Sequence, residues 1–195
     1  MSYIKTMNNE PIRTFIAIEI PETVKTCVDA VETELRQSRA DVNWVSTRQM
    51  HITLKFLGDT APDRLKTVRE GVREAVSACS AFSINLCRIG AFPNLERPRV
   101  FWVDIQEGRD VLIALQQRVE TALFDRRFVR EERPFSPHLT IGRVRSPKGV
   151  GLLSEQVRAM AFQTPSFSVT RIAIVKSELR PSGPVYTILD HVELA

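Results

Sequence analysis

Two short segments of the sequence place a histidine two residues before a threonine, within a run of apolar residues. The first segment reads MHITLKFLG over 50–58, and the second reads PHLTIGRV over 137–144. Only three histidines occur among the 195 residues, and two of them, His51 and His138, share this pattern. Imidazole has an unperturbed pKa of about 6.5, so two such groups can act as general base and general acid on one reacting centre.

The residues around the first histidine alternate as in a β-strand with one polar and one apolar face. Successive side chains of a strand point to opposite faces, so His51, Thr53 and Lys55 are predicted to lie together. The apolar side chains between them, from Ile52 to Phe56, are predicted to anchor the strand in a core. The threonine hydroxyl can donate to a phosphoryl oxygen, and the lysine can offset negative charge that develops there. This combination suits in-line displacement at phosphorus without a metal ion.

The second motif repeats this chemistry. His138 and Thr140 share a face by the same alternation, which places Arg143 on the opposite face. A β-bulge at Gly142 would turn the guanidinium towards the histidine, so we include Arg143 among the candidate phosphate ligands. We expect no metal or other cofactor, because tetrahedral zinc needs three or four ligands and neither motif has a Cys, His or carboxylate cluster beside it.

The elements that must position these motifs are predicted strands and amphipathic helices. Strands are predicted over 14–20, 42–46, 51–58, 82–92, 99–105, 137–144, 167–179 and 185–194. Helices are predicted from Pro21 to Leu35, after an N-cap at Thr60, from about Asp110 to Phe124 and over 152–162. The order favours an α+β fold with antiparallel sheets. The two histidine strands lie 87 positions apart and each precedes a helix, which predicts an internal duplication into two lobes.

Length and composition are those of one globular domain. We expect a flexible leader over 1–12 and a single bilobal domain over 13–195. The N-terminal residues lack the apolar core of a signal peptide, and no apolar run reaches about 20 residues. We therefore expect a cytoplasmic protein that does not bind membranes. We also expect a monomer. Cys27 and Cys79 are predicted to be small core residues in a reducing compartment. The net charge of +4 is compatible with a polyanionic ligand.

Together, RTFIAIEIP, MHITLKFLG and PHLTIGRV resemble the two-histidine phosphoesterases, especially the RNA 2′,3′-cyclic phosphodiesterases, also called 2′-5′ RNA ligases. The resemblance runs from about Arg13 to Leu194. It implies a bilobal, pseudo-twofold fold in which both motifs line a central cleft. It also implies hydrolysis of a terminal 2′,3′-cyclic phosphate to a 2′-phosphate, with 2′-5′ ligation as the reverse reaction. The partners it implies are RNA ends, tRNA fragments among them, or small cyclic nucleotides.

The resemblance also implies roles for individual residues. His51 would be the general acid that protonates the departing 3′ oxygen, and His138 the general base that activates water. Thr53 and Thr140 would hold the non-bridging oxygens. Because the two histidines exchange roles when the reaction reverses, the direction of this assignment is open.

Several residues have two competing interpretations. Phe15 and Trp44 could stack a terminal base, although core packing is the default interpretation for a residue of an apolar strand. The segment DRRFVREERPF over 125–135 could follow an RNA backbone or be a solvated loop. His191 is interpreted as structural and Trp102 as core. A non-catalytic module that binds RNA ends is the alternative to an enzyme.

Overall fold

The computed structural model describes residues 10–181 and 183–195. The strands are β1 Ile12–Glu19, β2 Val42–Trp44, β3 His51–Thr60, β4 Phe82–Ile84, β5 Leu86–Phe92, β6 Val100–Ile105, β7 His138–Val144, β8 Phe167–Val169, β9 Arg171–Arg180 and β10 Gly183–Glu193. The α-helices are α1 Glu22–Leu35, α2 Leu65–Val76, α3 Arg109–Phe124 and α4 Val150–Ala159. Most of the predicted leader over 1–12 lies outside the described residues. Within the described ranges, none of the helices is both long and apolar enough to cross a bilayer.

The strands form two four-stranded sheets and one short ribbon. Sheet A has the order β10-β9-β1-β3, sheet B has the order β2-β7-β6-β5, and β4 pairs with β8. Every pairing between these strands is antiparallel. The α+β fold class with antiparallel sheets is therefore confirmed.

The chain uses the same order of elements twice. The series β1-α1-β3-α2-β4-β5 is matched by β6-α3-β7-α4-β8-β9, and β2 and β10 are additional strands. The repeats exchange their last strand, since β5 lies in sheet B and β9 lies in sheet A beside β1. At the junction β4 pairs with its counterpart β8, with Ser83 opposite Ser168. This order matches the predicted duplication, whereas the exchange of strands was not predicted from the sequence.

The helices cover one face of each sheet and leave the other face to the motifs. Helices α2 and α3 pack on each other and contact β10 and β3 of sheet A, while α4 contacts α1 and β5 of sheet B. In β1, Ile16 and Ile18 belong to the main hydrophobic core. Phe15 and Ala17 instead form a separate small cluster with Ala173 and Val175. We call the side of sheet A that carries this second cluster the cleft face.

Two local predictions are wrong. Strand β3 continues to Thr60, whose hydroxyl donates to the Gly58 carbonyl, and a 3₁₀ turn over Pro62–Arg64 then leads into α2, so Thr60 is not the N-cap. The predicted strand over 82–92 is divided at Asn85, and only its second part, β5, pairs with β6. Of the two cysteines that were predicted to be core residues, Cys79, which follows α2, is buried and Cys27 of α1 is half-buried.

Candidate active site

Each histidine strand contains a β-bulge three residues after its histidine. The pairing register shifts at Leu54 in β3 and at Ile141 in β7. A bulge adds one residue to one strand only, so the side chains beyond it lie on the faces opposite to those that simple alternation predicts. Both motifs therefore present the histidine, the threonine and the fifth residue after the histidine on one side.

Lys55 is the first residue whose predicted place is wrong. The bulge turns its side chain away from His51 and towards α3, where it is 2% exposed. Its ammonium group donates to Glu120 Oε1 at 2.6 Å and to the Val129 carbonyl at 2.7 Å. The predicted contact between Lys55 and a phosphate in the cleft is therefore contradicted by its burial in an ion pair.

Phe56 takes the place that was predicted for the lysine. Its side chain is 62% exposed, although alternation had assigned it to the core. Its ring packs beside that of Phe15, with 5.8 Å between ring centroids. Phe56 therefore lies on the cleft face of sheet A.

Arg143 lies on the same face as His138 and Thr140. The bulge that turns Arg143 is at Ile141, one residue before the predicted Gly142. It brings the arginine to the side of the histidine, as predicted. Burial has the largest effect on the pKa of His51 and of His138 and lowers both. The positive charge of Arg143 lowers both pKa values further. The charge of one guanidinium therefore acts on both imidazoles.

The two imidazoles are held in the same way. In each ring Nδ1 lies 2.7 Å from a backbone carbonyl two residues earlier, that of Gln49 for His51 and that of Ser136 for His138. A carbonyl oxygen can only accept, so Nδ1 donates and carries the proton of the neutral ring. The proton that each histidine can gain or lose is therefore the one on Nε2.

The two histidine strands converge. Strands β3 and β7 contact each other although they belong to different sheets. The charge of His138 lowers the pKa of His51, beyond the effects of burial and of Arg143. Two imidazoles from distant parts of the chain thus lie near one another and near one arginine.

A carboxylate lies opposite each histidine on the neighbouring strand. Asp104 of β6 pairs with His138, and Glu19 of β1 pairs with His51. Burial lowers the pKa of His138, whereas its backbone hydrogen bond and the charge of Asp104 raise it. Asp104 is held by Arg88 at 2.6 Å and Arg109 at 2.7 Å.

The third histidine has a different environment. His191 Nε2 lies 2.7 Å from Glu19 Oε2. His191 therefore contacts a carboxylate at the sheet edge, which agrees with the structural interpretation of this residue.

Comparison with known proteins establishes the family. The family model described as the 2′-5′ RNA ligase superfamily matches residues 23–181. The chain belongs to this superfamily. The predicted membership in the two-histidine phosphoesterases and the predicted enzyme class, a phosphodiesterase, are confirmed.

Relatives of this superfamily member are similar over nearly their whole length. The RNA 2′,3′-cyclic phosphodiesterase of Thermotoga maritima is 34% identical over 179 residues, 91% of this chain and 93% of the relative. That of Methanothermobacter thermautotrophicus is 31% identical over 180 residues, 92% and 97% of the two chains. The solved structure of TT0787 from Thermus thermophilus has a TM-score of 0.78 at 26% identity, and covers 94% of this chain and 98% of that chain. Escherichia coli LigT complexed with 3′-AMP, at 21% identity, has the same fold with a TM-score of 0.75 over 95% and 99% of the chains.

Two aromatic residues of this 2′-5′ RNA ligase superfamily member lie against the His51 imidazole. Phe15 is 2% exposed, and its ring contacts His51 with 4.7 Å between centroids. Tyr186 of β10 contacts the same imidazole at 5.2 Å, edge to face. Phe15 therefore supports the imidazole and has almost no accessible surface for a base. Tyr186 is recognised as a neighbour of His51 only from the position of β10 in the folded chain.

The two tryptophans lie on opposite faces of sheet B, and Trp44 packs against the main core. Trp44 lies opposite Gly142, so it is on the face of sheet B away from Arg143, and Arg36 covers its ring at 5.2 Å. Its predicted role in stacking a base in the cleft is therefore wrong. Trp102 lies opposite Thr140, on the face that carries the motif.

Residues on β5 and β6 form the surroundings of His138. Phe92 contacts the His138 ring edge to face, with 5.0 Å between centroids. Phe92 also packs on Trp102 at 5.1 Å. A Cβ atom at Gly90 would lie 2.5 Å from the Trp102 ring, so glycine leaves room for the indole to lie against β5.

Proposed function

We propose that the protein is an RNA 2′,3′-cyclic phosphodiesterase that converts a terminal 2′,3′-cyclic phosphate into a 2′-phosphate. His51 and His138 act as its general acid and general base. The observation that carries the proposal is the matched pair of imidazoles, each held through Nδ1 and placed on strands β3 and β7, which contact each other. The relatives named RNA 2′,3′-cyclic phosphodiesterase support the choice of substrate.

Hydrolysis requires two proton transfers at one phosphorus atom. His138, neutral, accepts a proton at Nε2 from the water that attacks phosphorus, and a new P–O bond forms. His51, protonated, donates its Nε2 proton to the 3′ oxygen as the P–O3′ bond breaks. Asp104 raises the proton affinity of His138, which favours its role as base. Burial and the charge of Arg143 lower the pKa of His51, which makes its imidazolium a stronger acid.

The remaining polar side chains of the motifs hold the phosphate. Thr53 and Thr140 lie two residues after the histidines and are half-buried. Their hydroxyls would donate to the non-bridging oxygens, and Arg143 would offset the charge that develops on them. With a 5′-hydroxyl in place of water as the nucleophile, the same two proton transfers join RNA ends through a 2′-5′ bond as the P–O3′ bond breaks. RNA ends, including those of tRNA fragments, are the expected partners.

The test uses an oligonucleotide that ends in a 2′,3′-cyclic phosphate, incubated with the protein and EDTA. We expect a 2′-phosphate product whose formation depends on both histidines. An unchanged cyclic end would reject the proposal and favour a module that only binds RNA. A 3′-phosphate product would overturn the assignment of acid and base. Rates on cyclic mononucleotides measured in parallel would distinguish an RNA substrate from a small cyclic nucleotide.

The lowered pKa values of both histidines predict an acidic optimum for kcat/KM. Burial lowers each pKa below the usual value of about 6.5, so both rings are mostly neutral at neutral pH. The reaction needs one neutral and one protonated ring, and this form is lost as the pH rises above both pKa values. We expect a bell-shaped profile with its maximum below about pH 6.5 and a steady fall towards pH 8. A maximum above pH 8 in initial-rate measurements would contradict the lowered values.

A further inference from the structure

Two arginines lie beside the second histidine, on the face of sheet B that carries the motif. Asp104 of β6 is opposite His138. The next strand, β5, has a β-bulge opposite Asp104, formed by Cys87 and Arg88. Arg88 contacts the aspartate at 2.6 Å, and Arg109 at the start of α3 contacts the same carboxylate at 2.7 Å. The imidazole of His138 and the guanidinium of Arg88 therefore lie on the two strands that flank one carboxylate.

Both guanidiniums keep hydrogen-bond donors for a further anion. The side chains of Arg88 and Arg109 are 79% and 38% exposed, although both contact Asp104. Arg88 donates to Asp104 through one nitrogen, and Arg109 donates through one nitrogen to Asp104 and to the Ile105 carbonyl. A guanidinium has five N–H donors, so each arginine retains several. Two guanidiniums against one carboxylate leave one positive charge at this place.

A groove of about 700 Å³ lies next to these arginines. It is lined by both of them, by Asp104 and by residues 160–163, which follow α4. The backbone N–H of Arg88 donates to the Phe162 carbonyl at 3.0 Å, which fixes this segment beside the bulge. Ligand pockets have volumes of about 300–1,000 Å³, so the groove has room for a nucleotide-sized group.

The position of the groove suits the part of an RNA chain that precedes its end. In an RNA that ends in a 2′,3′-cyclic phosphate, the nearest further phosphate is the phosphodiester on the 5′ side of the terminal nucleotide. Guanidiniums bind phosphates through paired N–H donors. We propose that Arg88 and Arg109 form a subsite for this phosphodiester, one nucleotide away from the cyclic phosphate that the histidines contact.

This subsite makes the preferred substrate an RNA chain and not a cyclic mononucleotide. The place of the cyclic phosphate rests on the proposed function, whereas recognition of the charged linkage concerns binding alone. The two can therefore be tested separately.

The test compares two dinucleotides that end in a 2′-phosphate and differ in one group. One has the natural phosphodiester between its nucleosides, and the other has an uncharged methylphosphonate. Calorimetry measures the affinity of each for the wild-type protein, for Arg88→Gln and for the double variant Arg88→Ala with Arg109→Ala. Arg88→Gln removes the charge and keeps a hydrogen-bond donor for Asp104. Any effect passed on to His138 acts on the terminal 2′-phosphate, which both ligands carry, so the ratio of the two affinities measures the subsite.

Arg145→Gln is the matched control. Arg145 is also an exposed arginine, and its guanidinium contacts Asp41 at 2.7 Å. It follows the last residue of β7, at the end of the strand away from His138. The substitution removes the same charge from another part of the protein, so the ratio should stay at the wild-type value.

We expect the wild-type protein to bind the phosphodiester about 3- to 20-fold more tightly than the methylphosphonate at low salt. This preference should fall at least about twofold in Arg88→Gln, disappear in the double variant and shrink as salt is added, because exposed charges are screened. Thermal unfolding measured alongside verifies the fold of each variant, and Arg88→Gln alone decides the outcome where the double variant does not fold.

Equal affinity of the wild-type protein for the two linkages, or no binding of either dinucleotide, would overturn the subsite. So would a preference that persists in Arg88→Gln and the double variant, or one that Arg145→Gln lowers as much. Loss of affinity for both dinucleotides by the same factor would also overturn it, because the arginines would then act only through Asp104 and His138. A preference that depends on Arg88 without hydrolysis of any cyclic phosphate would overturn the proposed function and leave the subsite in place.

Discussion

Replacing His51 or His138 by alanine is expected to lower kcat by about 10²- to 10⁴-fold, because each removes one of two proton transfers. The double variant should be only slightly slower than the slower single variant, since the two groups act as one unit. The measurement is single-turnover hydrolysis of a cyclic-phosphate oligonucleotide at saturating enzyme. Thermal unfolding of each variant, measured alongside, separates loss of chemistry from loss of the fold.

His191→Ala is the control for this experiment. It removes the third histidine and its contact with Glu19 at 2.7 Å, without touching either motif. Its kcat should stay within a fewfold of the wild-type value. A loss in His191→Ala as large as that in His51→Ala, or full activity in either motif variant, would refute the paired mechanism.

Replacing Lys55 by methionine is expected to reduce the free energy of unfolding by about 3–5 kcal/mol, because breaking a buried ion pair leaves one uncompensated charge. That charge is Glu120, whose side chain is 12% exposed and whose Oε1 also accepts from the Glu131 backbone N–H at 3.1 Å. The Val129 carbonyl loses its donor as well. Since a domain is stable by only about 5–15 kcal/mol, a urea titration should reveal this loss readily.

The double variant Lys55→Met with Glu120→Gln tests whether the unpaired charge of Glu120 causes the loss of stability. It removes the unpaired charge together with its partner, so we expect it to recover part of the lost stability. A Lys55→Met protein that is as stable as wild type but binds phosphate poorly would show that the lysine serves the cleft. That outcome would restore the prediction made from alternation.

The sequence predicted the elements and the histidine pattern because both depend on local periodicity. The runs around His51 and His138 mark strands, and these strands begin at the histidines as the motif suggested. The antiparallel fold class followed from the order of the elements. These features need only the spacing of apolar residues.

The faces of Lys55 and Phe56 could not be predicted from alternation, since a bulge depends on the register with the neighbouring strand. A signal was nevertheless present in the repeat. Turning Arg143 inward required a bulge in the second motif, and the same bulge in the first motif exchanges the faces of Lys55 and Phe56. Applying the inferred bulge to both copies would have identified Phe56 as the exposed residue.

The contacts made by Tyr186 and Phe92 depend on the arrangement of distant strands. Tyr186 lies on β10 and reaches His51 through the order β10-β9-β1-β3 of sheet A. Phe92 lies on β5, which joins sheet B because the repeats exchange a strand. No local pattern encodes this exchange, so these residues became visible only in the folded chain.

A crystal structure with a bound nucleoside 2′-monophosphate would show whether His51 and His138 contact the same phosphate group. We expect one phosphate group with Nε2 of His51 and Nε2 of His138 both within about 3 Å of its oxygens. A phosphate that contacts only one of the two imidazoles, or binds away from both, would contradict it.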